Sequence, residues 1–259
     1  MPKPFTPKLS PRLEGIVSMV PECEKVADIG CDHGYISVAL VQRGIARSAI
    51  ACDIKAGPLE FAKKNIAKAG LEGIAYVRLA PGLNALGESE ADCIVIAGMG
   101  MRTIAGILTE DMDKAKNADY LVLQPQSEIP EMRQFLGENG FYIIENKLMI
   151  EEDKYYFSML VSSKNRPANG TVKKLVTGLK EEAYGPEFSS FASTLDMYFG
   201  LDLIIEDKNM ARYLNHVINE WTVSHEKLSE AKKPDFAKQA ELTKKKQLAE
   251  LALELNTLF

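Results

Sequence analysis

Between residues 25 and 162 the chain repeats one pattern, a short β-branched apolar run followed by a stretch with helical spacing. The runs fall at 25–29, 48–53, 74–79, 92–97, 119–124, 141–147 and 155–162, with helix-like segments at 34–43, 57–69, 99–109 and 128–138. The first five runs are almost continuously apolar, as strands covered on both faces must be. Such alternation predicts an α/β domain built on a mainly parallel sheet.

The last two runs break the rhythm. A short segment carrying the acidic Glu151-Glu152-Asp153 separates them, too short for the crossover that a parallel pair requires. They are therefore expected to form an antiparallel hairpin at one edge of the sheet. This ending resembles the seven-stranded class I, Rossmann-like methyltransferase fold more than a symmetric NAD-binding fold.

Beyond Arg166-Pro167-Ala168-Asn169-Gly170 the pattern turns helical, with helices expected at about 171–183 and 188–198. In a longer helix, Met210, Leu214, Val217, Trp221 and Leu228 recur at seam spacing, and Leu248, Leu251, Leu255 and Leu258 repeat it after Lys233-Pro234. Two such helices joined by a Pro-containing turn read as an antiparallel coiled-coil hairpin. Trp221 fits the seam better than a base-stacking role. The expected organisation is thus a sheet domain over 1–163 and a C-terminal α-helical coiled-coil domain over 164–259.

No apolar run approaches the ~20 residues that span a bilayer, and the N-terminus lacks the basic-then-apolar order of a signal peptide. A soluble, cytoplasmic protein without a membrane partner is expected. The four cysteines suggest reduced thiols, and His33, His216 and His225 have no spacing that would close a metal shell with them. With a net charge of -5, a polyanion-binding surface would have to be local. Candidate clusters are Lys173-Lys174, Lys232-Lys233 and Lys244-Lys245-Lys246, with Arg12, Arg43 and Arg47 near the start of the sheet domain.

The turn Asp28-Ile29-Gly30-Cys31-Asp32-His33-Gly34-Tyr35 follows the first strand and opens the first crossover helix. Gly30 and Gly34 permit positive φ or close backbone approach, and the helix start directs unpaired N–H groups into the crevice. A dinucleotide or the carboxypropyl group of S-adenosylmethionine could occupy such a turn. The carboxylate of Asp32 would repel a pyrophosphate but accept hydrogen bonds from an α-ammonium, which favours S-adenosylmethionine. Asp28 could assist through the turn's amides or a water. Asp53, ending the second strand before Ile54, can bind both ribose hydroxyls.

These residues resemble the bacterial TrmK-type tRNA methyltransferases. The most specific matches are Ala27 to Tyr35, Ile94-Val95-Ile96-Ala97-Gly98-Met99-Gly100 and Leu123-Gln124-Pro125, with Leu9-Ser10-Pro11-Arg12-Leu13 ahead of them. The resemblance implies S-adenosylmethionine as cofactor, tRNA as substrate and N1 of the D-arm adenine at position 22 as methyl acceptor. It implies no DNA, and no obligate protein partner is evident. This chain departs from the family's usual Gly-Asp-Gly-Leu segment with Ala80-Pro81-Gly82-Leu83-Asn84. Pro81 offers neither carboxylate nor N–H, leaving backbone around Gly82, Asn84 or apolar contacts to hold adenine. Met101 replaces a frequent Gly, and Gln126 a frequent Asn.

Adenine N1 has a free lone pair near neutral pH, so transfer calls for alignment rather than a strong base. Asp32, His33, Gly98 and Met99 are the candidate catalytic residues. Glycines allow the base to approach, Met99 could lie against its face, and an oxygen at the Watson-Crick edge would stabilise the positive charge that develops. Ala97 joins the cofactor-binding set. Arg12, Arg43 and Arg102 are candidate phosphate contacts, Tyr35 a stacking partner, and Gln124 and Gln126 further substrate contacts. Two alternatives stand beside this reading: a methyltransferase for another RNA or small nitrogen acceptor, and a noncatalytic RNA-binding protein.

Overall fold

Seven strands form one sheet in the order β3-β2-β1-β4-β5-β7-β6. They are β1 (Cys23–Ile29), β2 (Ala46–Asp53), β3 (Ala75–Leu79), β4 (Cys93–Met99), β5 (Tyr120–Pro125), β6 (Tyr142–Glu151) and β7 (Lys154–Ser162). In this computed structural model the described residues are 4–164 and 188–257, except 232 and 234. The chain divides into two compact units, Met1–Ala168 and Asn169–Phe259.

The first five strands run parallel, and β7 is antiparallel to both β5 and β6. The expected hairpin is present, but its second strand lies inside the sheet and its first at the edge. Burial explains the order: Phe157 to Ser162 of β7 are all buried, whereas β6 carries Glu145, Asn146 and Lys147 and is covered only in part. Glu152 and Asp153 turn the chain with φ of 49° and 57°, the handedness that suits a two-residue hairpin loop.

Helices α1 (Pro11–Met19), α2 (Tyr35–Gln42), α3 (Ala56–Lys68), α4 (Met101–Glu110), α5 (Met112–Asn117) and α6 (Ile129–Glu138) accompany the sheet. Alternation along the strands divides the core between its two faces. Ile29, Ile94, Ile96, Leu121 and Leu123 pack with Ile104, Leu108, Met132 and Leu136 of α4 and α6. Val26, Val95 and Val122 face Ile16, Val17, Val38 and Ile66 of α1, α2 and α3. The four cysteines are free thiols, three of them buried.

Two helices here lie outside the predicted elements. In α1 the Ser10 hydroxyl accepts the Leu13 N–H and Pro11 occupies the first turn. A Cβ on Gly15 would stand 2.0 Å from Met149 Sδ, so glycine lets α1 approach β6 closely. Helix α5 has only six residues, too few for a periodic signature. Met99, placed in a helix from sequence, ends β4 instead.

The second unit contains α7 (Phe188–Phe199), α8 (Leu201–Glu206), α9 (Met210–Ser229) and α10 (Phe236–Asn256). Helices α9 and α10 pack along one another, burying Met210, Leu214 and Val217 on one and Leu242, Leu248, Ala249, Ala252 and Leu255 on the other. Trp221 is only half-buried and lines a cleft of about 380 Å³ with His225 and Lys246. The helix expected over 171–183 falls outside the described residues, as do Lys173-Lys174, Lys232 and Leu258. No described helix is long and apolar enough to cross a membrane.

Candidate functional site

Strand β1 ends in buried apolar residues and then turns through three left-handed positions, Gly30 at φ 75°, Asp32 at 50° and Gly34 at 69°. The N–H groups of Gly30 and Cys31 both donate to the Cys52 carbonyl, at 2.8 and 2.9 Å, which fastens the turn to β2. A Cβ on Gly34 would stand 3.0 Å from that of Ala62, so this glycine sets how closely α3 packs. A Cβ on Gly30 would stand 2.2 Å from Met99 Cε. The Met99 side chain therefore lies across the turn, packed against the core.

A cavity of about 310 Å³ opens at this turn. Asp28, Gly30, Asp32 and His33 line one side, while Ala97, Gly98, Arg12, Tyr35 and Gln126 complete it. Leu13, Cys31 and Ile36 also contribute, the first two lying within the matched motifs but given no site role from sequence. A larger cleft of about 500 Å³ lies at the opposite ends of the strands, around Cys23, Asp92 and Tyr120. It contains neither glycine of the turn, and the smaller cavity better matches the crevice where this topology binds ligands.

Asp28 forms a buried part of this wall, with 3% of its surface exposed. Its carboxylate accepts a hydrogen bond from Ser37 Oγ at 2.8 Å. Burial pushes its pKa up to about 6; the Ser37 bonds oppose the shift, and the charges of Asp53 and Asp32 add to it. Asp32 is the reverse case, with a side chain 72% exposed at the rim and Oδ1 3.7 Å from His33 Nε2. The His33 ring stacks on Tyr35 at 5.5 Å and meets the edge of Phe61 at 5.0 Å.

Asp53 accepts the N–H of Lys55 at 2.9 Å and that of Asp32 at 3.4 Å, holding a half-buried carboxylate beside the turn. Ile54 next to it is 65% exposed. The Ala80 N–H donates to the Asp53 carbonyl, bringing the segment after β3 alongside. Within that segment Pro81 and Asn84 are exposed and Gly82 is buried. These residues extend the sheet edge beyond the enclosed cavity.

Gln124 does not face the cavity. It is fully buried, and its Oε1 accepts from Arg12 Nη1 at 3.0 Å and from the Gly98 N–H at 3.2 Å. Its Nε2 donates to the Pro125 carbonyl at 2.9 Å. Gln124 thus couples Arg12 to the loop after β4. Arg12 is further held by Glu151 Oε2, which accepts its N–H at 2.9 Å, and its guanidinium lies 5.5 Å from the Tyr156 ring centre. A Ser10 hydrogen bond, then the Arg12 N–H and charge, hold the Glu151 carboxyl below its ordinary pKa against the opposing effect of burial.

The other arginines are less available than their spacing suggested. Arg43 ends α2, away from the cavity, with both terminal nitrogens 2.7 Å from Glu14 oxygens. Arg102 stands in the first turn of α4 and is not among the cavity-lining residues; Glu128 engages it at 3.1 Å. Gln126 lines the cavity while its N–H donates to the Met99 carbonyl at 2.9 Å.

Residues 9–159 match the methyltransferase-domain family. A tRNA (adenine(22)-N(1))-methyltransferase of Bacillus subtilis is 35% identical over 161 residues, covering 62% of this chain and 68% of that protein. The crystal structure of the B. subtilis m1A22 tRNA methyltransferase TrmK aligns with a TM-score of 0.76 at 27% identity, covering 95% of this chain and 99% of that one. Streptococcus pneumoniae Sp1610 in complex with S-adenosyl-L-methionine gives 0.70 at 30% identity, with 95% and 100% covered.

The Asp28 pKa carries a sign. A buried acid whose native pKa stands above its unfolded value of 3.8 favours the protonated fold, so its contribution declines as pH rises from about 4 to 6 and then levels. Asp28→Asn abolishes this titration. The stability of the variant relative to the parent should therefore increase across that interval by roughly 3 kcal/mol. Urea unfolding at pH 4, 5, 6 and 7 measures the difference; a constant offset at every pH would contradict the assignment.

Proposed function

Because the chain belongs to the bacterial TrmK-type tRNA (m1A22) methyltransferase family, we infer that it methylates N1 of adenine 22 in tRNA with S-adenosylmethionine as donor. The observation that carries this reading is the grouping of Asp28, Asp32 and Asp53 around one glycine turn. Three carboxylates there suit a cationic amino-acid group and disfavour a pyrophosphate.

The residues present fit that donor. Asp28 and Asp32 supply negative charge for its α-ammonium, Asp53 for its ribose hydroxyls, and Gly30 and Gly34 allow close backbone approach. Ile54, Pro81, Gly82 and Asn84 bound the place for adenine, with apolar surface and backbone groups replacing an acidic contact. When bound, S-adenosylmethionine supplies an electrophilic methyl group carried on a sulfonium.

Chemistry at the target base then rests on positioning by the chain. The nucleotide must leave its stack, and Arg12, braced by Gln124 and Glu151, is placed to meet its phosphate. The Ala97-Gly98 backbone gives the base room to approach, while His33, Tyr35 and Gln126 bound it at the rim. Met99 acts by bracing the turn. Asp32 and nearby carbonyl oxygens stabilise the positive charge gained by the purine. We assign the α9–α10 pair to coiled-coil packing and residues 164–259 to tRNA binding through Lys244, Lys245 and Lys246.

Incubation of a tRNA transcript with labelled S-adenosylmethionine, followed by digestion, should place the label in 1-methyladenosine at position 22, and a transcript with guanine there should remain unlabelled. Equal labelling of both would remove the specificity. Asp32→Asn, which tolerates positive φ but lacks the charge, should raise the dissociation constant for S-adenosylmethionine about ten-fold by calorimetry. An unchanged constant would exclude Asp32 from that role. Simultaneous Lys244→Ala, Lys245→Ala and Lys246→Ala should weaken tRNA binding about ten-fold and leave S-adenosylmethionine binding intact. Undiminished tRNA affinity would place the tRNA surface elsewhere.

A further inference from the structure

Phe61 lies on α3, within the acidic chain's sheet unit, yet its ring is 53% exposed. Its edge meets His33, a cavity-lining residue, and Lys64 Nζ lies 5.8 Å from its ring centre. One turn of helix brings Lys64 beside Phe61, and the next brings Lys68 onto the same stripe. The Asn65 amide fixes this face to the glycine turn by donating to the His33 carbonyl at 3.0 Å. The aromatic-basic stripe is therefore rigidly continuous with the mouth of the cavity.

Charge separates this stripe from the paired arginines of the sheet unit. Arg43, Arg47, Arg78 and Arg102 are engaged by Glu14, Glu24, Glu90 and Glu128. Lys64 and Lys68 are exposed and make no ion pair among the described residues; Glu60, four residues before Lys64, is not within ion-pair distance. An exposed aromatic face flanked by uncompensated ammonium groups is complementary to unstacked RNA, whose bases stack and whose phosphates take the cations. Resting on the function inferred above, we propose that Phe61, Lys64 and Lys68 form a docking surface for the tRNA strand beside the extruded adenine. Phe61 stacks on a neighbouring base while the lysines contact its phosphates.

The surface is tested by tRNA binding to the full chain between about 50 and 200 mM salt, together with steady-state methylation. Lys64→Ala with Lys68→Ala should weaken binding about ten-fold and make the slope of log affinity against log salt shallower by about 1.5. Phe61→Leu should raise the tRNA KM about five-fold or more, whereas Phe61→Tyr, which keeps a ring, should remain near the parent. S-adenosylmethionine affinity and Tm should stay unchanged in all three. Parental tRNA affinity and salt slope in the lysine variant, or a parental KM in Phe61→Leu, would overturn the proposal. An unaltered chain that binds tRNA with this lysine dependence but does not methylate it overturns only the inferred reaction; one that binds no tRNA overturns both.

Discussion

Two backbone donors share one acceptor at the centre of this protein: the N–H groups of Gly30 and Cys31 both reach the Cys52 carbonyl. That anchorage holds the chain in a turn requiring positive φ at Gly30, Asp32 and Gly34. A side chain at Gly34 would crowd Ala62, so the turn governs the approach of α3, and one at Gly30 would displace the Met99 methyl. Backbone conformation, helix packing and cavity shape are consequently one constraint.

The turn also separates two carboxylates that look alike in the sequence. Asp28 is inside, with a raised pKa and a hydroxyl partner, whereas Asp32 is at the rim in water. A buried carboxylate with little compensation costs stability, and a cationic ligand offsets that cost. The same economy appears at Gln124, which spends its hydrogen bonds on Arg12 and Gly98 inside the protein and shapes the cavity from behind.

Recognition of a polyanion by an acidic chain depends on which cations remain uncompensated. Glu14 clamps Arg43 through both carboxylate oxygens and Glu128 makes one contact to Arg102, while Arg12 is held at the cavity by a network drawn from α1, β5 and the β6–β7 hairpin. Lysines on α3 and α10 are distributed differently: Lys64 and Lys68 stand unpaired, whereas Lys245 and Lys246 each face a glutamate on their own helix. Solvent-facing pairs of this kind are weak and can exchange for phosphate at small cost, that of the 86% exposed Arg102 included.

The strand–helix rhythm by itself determined the α/β class, the parallel first five strands and the hairpin, because continuously apolar runs separated by helices, and a connection too short for a crossover, leave few other solutions. The Gly30–Gly34 turn and Asp53 were legible for the same reason: glycine and a strand-end acid have local conformational meaning. Tertiary structure decided what depended on distant partners. Polar residues in β6 and apolar ones in β7 set which strand lies inside, but only the assembled sheet fixed β7 against β5. The burial of Gln124, the Arg43–Glu14 pair and the Phe61–His33 contact join residues from separate elements, and no local spacing encodes them.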